Sequence, residues 1–121
     1  MASKHGSHWL EREDFGGVTV VRLKPPKTLD EDTIRAVFDP IQSLIGEVGR
    51  NQLVLNFAAV EHLPSYAVGK LVMLNRKVQA AEGRFALCHL SPAVLHTLDS
   101  ARLLELFNIC ATEQDALESF A

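Results

Sequence analysis

Apolar residues recur along this chain in two alternating rhythms, and the alternation predicts a layered α/β fold. Val18, Val20, Val21 and Leu23 surround Thr19 and Arg22 in a strand-like run. Residues 9–13 form a weaker first strand, and Phe15-Gly16-Gly17 between the two is a turn signal, so the pair reads as a hairpin. Lys24-Pro25-Pro26-Lys27 follows as a loop, because Pro25 and Pro26 bring no N–H to a ladder. From Asp30 the rhythm changes. Ile34, Val37, Phe38, Ile41, Leu44, Ile45 and Val48 step by three and four, the spacing of one helical face. Asp30, Glu31 and Asp32 put negative charge at its N-terminus, where the helix dipole favours it. Pro40 removes one intrahelical bond, but the unbroken stripe predicts a kinked, continuous helix that Gly46 and Gly49 end.

Residues 51–57 are the next strand, with β-formers at Val54 and Phe57. A turn carrying Pro64, Ser65 and Tyr66 leads into a helix predicted over 65–81. Ala67, Leu71, Leu74 and Val78 mark its buried face, with Val68 and Val72 alongside, while Lys70, Asn75, Arg76 and Gln79 fall on the solvated one. Gly83 is its stop signal, and residues 85–90 are a compact apolar strand. Within that strand His89 is expected to be a satisfied structural histidine, against the core or on a sheet face. Ser91-Pro92 has the order of a helix cap followed by proline at the first helical position, ahead of Ala93, Val94, Leu95 and Leu98. The apolar patch 103–107 leads to a last strand near 108–110, and Thr112 caps a final helix with Ala116, Leu117 and Phe120 inward. The sum is α/β: one domain over 9–121 behind a polar, frayed tail at 1–8, with a mixed four- to five-stranded sheet flanked by about four helices.

Composition narrows the function more than the fold. A chain of 121 residues, 47% apolar and 22% charged, is an ordinary globular domain. Its formal charge is −3 and its basic residues are scattered, so no nucleic-acid partner is expected. No apolar run approaches the ~20 residues of a membrane span. Residues 1–8 lack the apolar core of a secretory signal, which predicts a cytoplasmic protein with Cys88 and Cys110 as reduced thiols. His5 and His8 read as tail residues rather than metal ligands.

Ser65 is the residue on which the chemistry turns. It stands where a strand ends and a helix begins, so its hydroxyl is placed to accept from the first-turn amides as a cap. The same helix N-terminus favours an anion and can hold phosphate oxygens. A hydrolytic role needs a histidine base, and His62 is close in sequence. The nucleophile-elbow pattern is absent, however, since Leu63 and Ala67 occupy the positions that need glycine. Glu61 with His62, and His96 with Asp99, each lack a third metal ligand, and neither common glycine-rich phosphate loop occurs. No cofactor is expected.

The order and spacing of several segments resemble the STAS domain of bacterial anti-sigma-factor antagonists. Leu29-Asp30-Glu31-Asp32-Thr33 is similar to the family's Leu-Asp-x-x-Thr lead-in to its first helix. Leu53-Val54-Leu55-Asn56-Phe57 followed by Val60 resembles its central strand. Residues 82–87, then Ser91-Pro92-Ala93-Val94, resemble its Gly-Gly-x-Leu strand and Ser-Pro-x-Val helix start, and Asp115-Ala116-Leu117 its last helix. The family's switch is Asp-Ser-[Ser/Thr]-Gly-x-Gly, with the first serine phosphorylated. Here Pro64-Ser65-Tyr66-Ala67-Val68-Gly69 aligns with it, keeping Ser65 and Gly69 and departing at Pro64, Tyr66 and Ala67.

The resemblance implies a regulatory binding module rather than an enzyme. In its unmodified form it would bind an anti-sigma factor that is itself a serine kinase using ATP and magnesium, freeing a sigma factor for transcription. Phosphorylation of Ser65 would reverse the binding. Asp30, Glu61, His62, Pro64, Tyr66 and Gly69 are the candidate partner contacts around that serine. Two alternatives remain open within the family: a non-phosphorylated STAS scaffold that assembles other STAS or signalling proteins, and a domain binding a nucleotide or lipid at the same turn.

Overall fold

The computed structural model describes residues 9–26, 29–47 and 51–120. The predicted tail, together with Val48 and Gly49 of the first helix, lies outside the described residues. Nine elements follow one another: β1 (Leu10–Phe15), β2 (Val18–Leu23), α1 (Glu31–Ile45), β3 (Gln52–Asn56), α2 (Ser65–Ala80), β4 (Arg84–Cys88), α3 (Pro92–Ser100), β5 (Asn108–Cys110) and α4 (Glu113–Ser119). The strands lie in one sheet in chain order, the first pair antiparallel and the other three pairs parallel. Each parallel step is made through a helix, as a parallel pair requires.

The two residues between β1 and β2 explain why the first pair turns back. Gly16 and Gly17 have φ of 53° and 93°, and a two-residue hairpin loop with both residues at positive φ matches the twist of its strands. The first strand is shifted from the expected 9–13 to Leu10–Phe15, because pairing runs right up to that turn, with Phe15 opposite Val18.

Side chains alternate between the sheet faces, and both faces are buried in the inner strands. Val21, Leu23, Leu53, Leu55, Phe85 and Leu87 join the large core under α1, α2 and α3. Val18, Val20, Val54, Ala86 and Cys88 join a smaller one with Ala116 of α4. Such two-sided burial is why the parallel strands read as near-continuous apolar runs. Ala67, Leu71, Leu74 and Val78 of α2 are all fully buried, as their spacing predicts.

α1 is continuous through Pro40, and its N-cap Asp30 accepts from the Thr33 N–H at 2.8 Å. Gly46 closes α1 in right-handed conformation, with φ −76°, so the glycine is not required there by handedness. Gly83 behaves differently from a simple stop. The left-handed residue is Glu82, at φ 57°. Its N–H reaches the Gln79 carbonyl and the Gly83 N–H reaches the Val78 carbonyl, both at 2.9 Å, which is a Schellman closure. Gly83 is needed because a Cβ there would sit 1.7 Å from the Asn51 carbonyl oxygen. Three other expectations change. Asn75 is buried rather than solvated. Lys70 pairs with Asp39 of α1 at 3.3 Å. His89 is exposed, at φ 58° just beyond β4, because the strand ends at Cys88 and the chain must turn toward α3.

Candidate functional site

The C-terminal ends of β2, β3 and β4 point toward one rim of the sheet, and the candidate residues lie in the loops leaving β2 and β3 and at the start of α2. Ligand and partner sites of open α/β sheets gather at this rim.

Ser65 is the first helical residue of α2 and is exposed. It is not the cap. Pro64 holds that position, with φ −69° and ψ 160°, and supplies no side-chain hydrogen bond. Its carbonyl accepts from Ala67 at 2.9 Å and from Val68 at 3.2 Å. The expected capping role of the Ser65 hydroxyl is therefore corrected: proline restricts the residue before it and fixes its own φ, which makes Pro64 the junction and moves the serine one place into the helix. The other three helices are capped by side chains, Asp30 on Thr33, Ser91 on Val94 and Thr112 on Asp115. The α2 N-terminus also carries no acidic residue in its first turn, whereas α1 has Glu31 and Asp32 and α4 has Glu113 and Asp115.

Tertiary structure brings Tyr66 and Asp30 together. The Tyr66 hydroxyl donates to the carbonyl of Leu29, the residue before the α1 cap. Partial desolvation, with the nearby carboxylates of Asp30 and Glu31, pushes the phenol's pKa up. Asp30 is held below the usual carboxylate range by the hydrogen bonds it accepts from Thr33. Glu61 and His62 are exposed and line an open cleft of about 320 Å³ with Pro25, Pro26, Leu29, Ala59 and Val60. Leu29 thus belongs to both groups. The Ser91 hydroxyl donates to the Glu61 carbonyl at 2.9 Å while accepting from Val94, so the α3 cap also anchors the loop that carries Glu61. Gly69 lies one turn along α2 on its exposed side, and a Cβ there would meet nothing within 4 Å.

A polar network that the sequence pattern does not announce as a whole lies on the opposite face of the same rim. Arg22 of β2 donates to Glu113 through Nε at 2.7 Å and Nη2 at 2.9 Å, and to Glu13 through Nη1 at 2.9 Å. Asn56 donates to the same Glu113 carboxylate at 2.6 Å. The Arg22 guanidinium holds the Glu113 carboxyl below its ordinary value, and Glu113 raises that of Arg22. The sequence signal was Asn56, a polar residue closing an apolar strand. Its partner lies 57 positions away and was not readable. Among the described residues no group of three or more His, Cys, Asp or Glu side chains is arranged to hold a metal. Among them too, no helix is long and apolar enough to cross a membrane.

A five-stranded mixed sheet with three helices over one face and a short fourth over the other defines a small α/β domain. The family model for the STAS domain matches residues 10–116, and the chain belongs to that family. Among solved structures it is similar to the anti-sigma-factor antagonist (STAS) domain protein of Planctomyces limnophilus, at 21% identity over 92% of this chain and 97% of that one, TM-score 0.80. It is also similar to an anti-sigma factor antagonist of Mycobacterium paratuberculosis, at 24% identity over 96% and 98%, TM-score 0.79. A third is the Bacillus cell fate determinant SpoIIAA in its phosphorylated form, at 21% identity over 93% and 99%, TM-score 0.70. At these identities the likeness establishes the shared fold.

Proposed function

We propose that this chain is a protein-docking module, not an enzyme, that binds an anti-sigma factor of the serine-kinase type through the rim around the α2 N-terminus. We further propose that phosphorylation of Ser65 ends that binding. The observation that carries the reading is the exposed, uncapped Ser65 at the first position of α2, where the family places its switch serine. A phosphoserine brings about −1.5 to −2 charges. The helix dipole tolerates this charge at an N-terminus, and no side chain occupies the first-turn amides that can face it. The fold therefore accepts the phosphate, while a partner matched to the unmodified surface meets a new anion beside Tyr66. Asp30, Glu61, His62, Pro64 and Tyr66 are its candidate contacts. Gly69 fits the same role: its open position gives the domain no packing reason for a glycine inside a helix, where glycine costs about 0.5–1 kcal/mol against alanine.

The test compares calorimetric binding of the unmodified protein, Ser65→Asp and Ser65→Ala to the anti-sigma-factor kinase that phosphorylates it. Ser65→Asp is expected to keep its urea midpoint and lose binding at least tenfold, while Ser65→Ala binds as the parent does. Equal affinity of all three variants would remove the charge switch.

A second reading is a non-phosphorylated scaffold for other STAS or signalling proteins. It is favoured by Tyr66, whose ring stands next to Ser65 with its hydroxyl tied to Leu29. Incubation with the kinase and ATP decides between them: an intact mass without a phosphoryl addition supports the scaffold.

A further inference from the structure

Cys88 and Cys110 are far apart in the chain but face each other directly in the parallel ladder between β4 and β5. Side chains paired in a ladder project to the same face. Here it is the α4 face: Cys88 is fully buried with Val18, Val20, Val54, Ala86 and Ala116, and Cys110 packs on the same cluster while keeping partial exposure. Both thiols are free. Adjacent strands run about 4.8 Å apart, inside the Cα separation of roughly 4.4–6.8 Å that a disulfide spans. The site around Ser65 uses neither sulfur.

We propose that Cys88 and Cys110 form an oxidisable dithiol, which a hydroperoxide converts into an intrachain disulfide stapling β5 and α4 to the sheet. Cys110 is the sulfur that solvent reaches. Its thiolate attacks one peroxide oxygen, the O–O bond breaks, and Cys110 becomes a sulfenic acid while the departing oxygen takes up a proton. The Cys88 sulfur then attacks the Cys110 sulfur. The S–S bond forms, the S–O bond breaks, and the hydroxide leaves as water with the Cys88 proton. Two thiols lose two electrons in all, and hydrogen peroxide gains them as two waters. Burial pushes the Cys88 thiol up to about 12, which keeps it protonated until a sulfenic acid forms beside it. The Cys110 sulfur sits 3.6 Å from the Asn108 side-chain oxygen, a contact that holds it at the strand edge.

The tie has a mechanical consequence. β5 has three residues and α4 seven, so they are the shortest strand and helix of the described fold. Besides the β4–β5 ladder, α4 is tied to the sheet by Glu113 with Arg22 and Asn56 at its start and by Arg84 donating to the Phe120 carbonyl at its end. A disulfide closes the chain around α3 and removes the freedom of this unit to part from β4.

The experiment treats the reduced full chain with a small excess of hydrogen peroxide, then uses non-reducing peptide mapping and thermal melting. The expected product is a monomer lighter by two hydrogens, with a peptide joining Cys88 to Cys110. Its melting midpoint rises by about 5–10 °C, and a dithiol reductant reverses the rise. Cys110→Ser, at a partly exposed position, should melt like the reduced parent and show neither link nor rise. In Cys88→Ala, a sulfenic-acid trap should label Cys110 after peroxide. A product with Cys110 oxidised to sulfinic acid and no link, a disulfide between two copies, or an unchanged mass would each overturn the proposal.

Discussion

Two helices of this domain begin with the same two residue types in opposite order. α3 begins Ser91-Pro92 and α2 begins Pro64-Ser65. In the first order the serine is the cap, its hydroxyl accepts from Val94 at 3.1 Å, and proline follows where its missing N–H costs nothing. In the second the proline takes the cap position and has no acceptor to offer, and the serine falls on the first helical residue with its hydroxyl in solvent. Swapping two neighbours thus separates a serine that holds a helix from one that stands exposed and holds nothing at its start. It follows that α2 depends on its buried face rather than on its end.

The largest expected effect tests that dependence. Leu71 is fully buried on α2, so Leu71→Ala should cost about 2–5 kcal/mol, read from the urea midpoint. Lys70→Ala breaks only the partly exposed pair with Asp39 and should cost about 0.2–1 kcal/mol. Equal shifts would mean that the face of α2 is assigned wrongly.

The two serines supply the middle effect. Ser91→Ala removes the α3 cap and the bond to the Glu61 carbonyl, and should cost about 0.5–2 kcal/mol. Ser65→Ala removes no cap and should stay within about 0.5 kcal/mol of the parent. If thermal melting shows Ser65→Ala to be the worse of the two, the contrast between the two helix starts is broken.

Gly69→Ala should act on the fold in the opposite sense, and its sign sharpens the contrast. With open space around the new methyl, the helix should gain about 0.5–1 kcal/mol. Calorimetry against the anti-sigma-factor kinase should meanwhile show weaker binding. A variant both more stable and fully active in docking would leave the glycine without a role in the partner surface.

Much of this was legible because it is local. The apolar stripe of α1 set that helix in place through Pro40, and Ser91-Pro92 and Thr112 announced their caps within four residues of the amides they satisfy. The Ser65 cap fails for an equally local reason: the rigid proline before the serine occupies the junction that a capping hydroxyl needs. The apolar run places His89 inside a strand because it continues to Leu90, while the ladder stops at Cys88.

By itself the sequence determined the alternation of strands and helices, the apolar part of the buried faces of α1 and α2, and the family pattern that singles out Ser65. Those features are written in periodicity and in short capping signals, which act over a few residues and need no knowledge of the sheet. Only the tertiary structure decided which distant groups meet. It set Tyr66 against the carbonyl before Asp30, Arg22 against Glu113 at a separation of 91 positions, and Cys88 beside Cys110. The physical reason is strand order. A parallel neighbour is chosen by burying both faces of a whole sheet at once, and the residues that become adjacent carry no mark of each other in the chain.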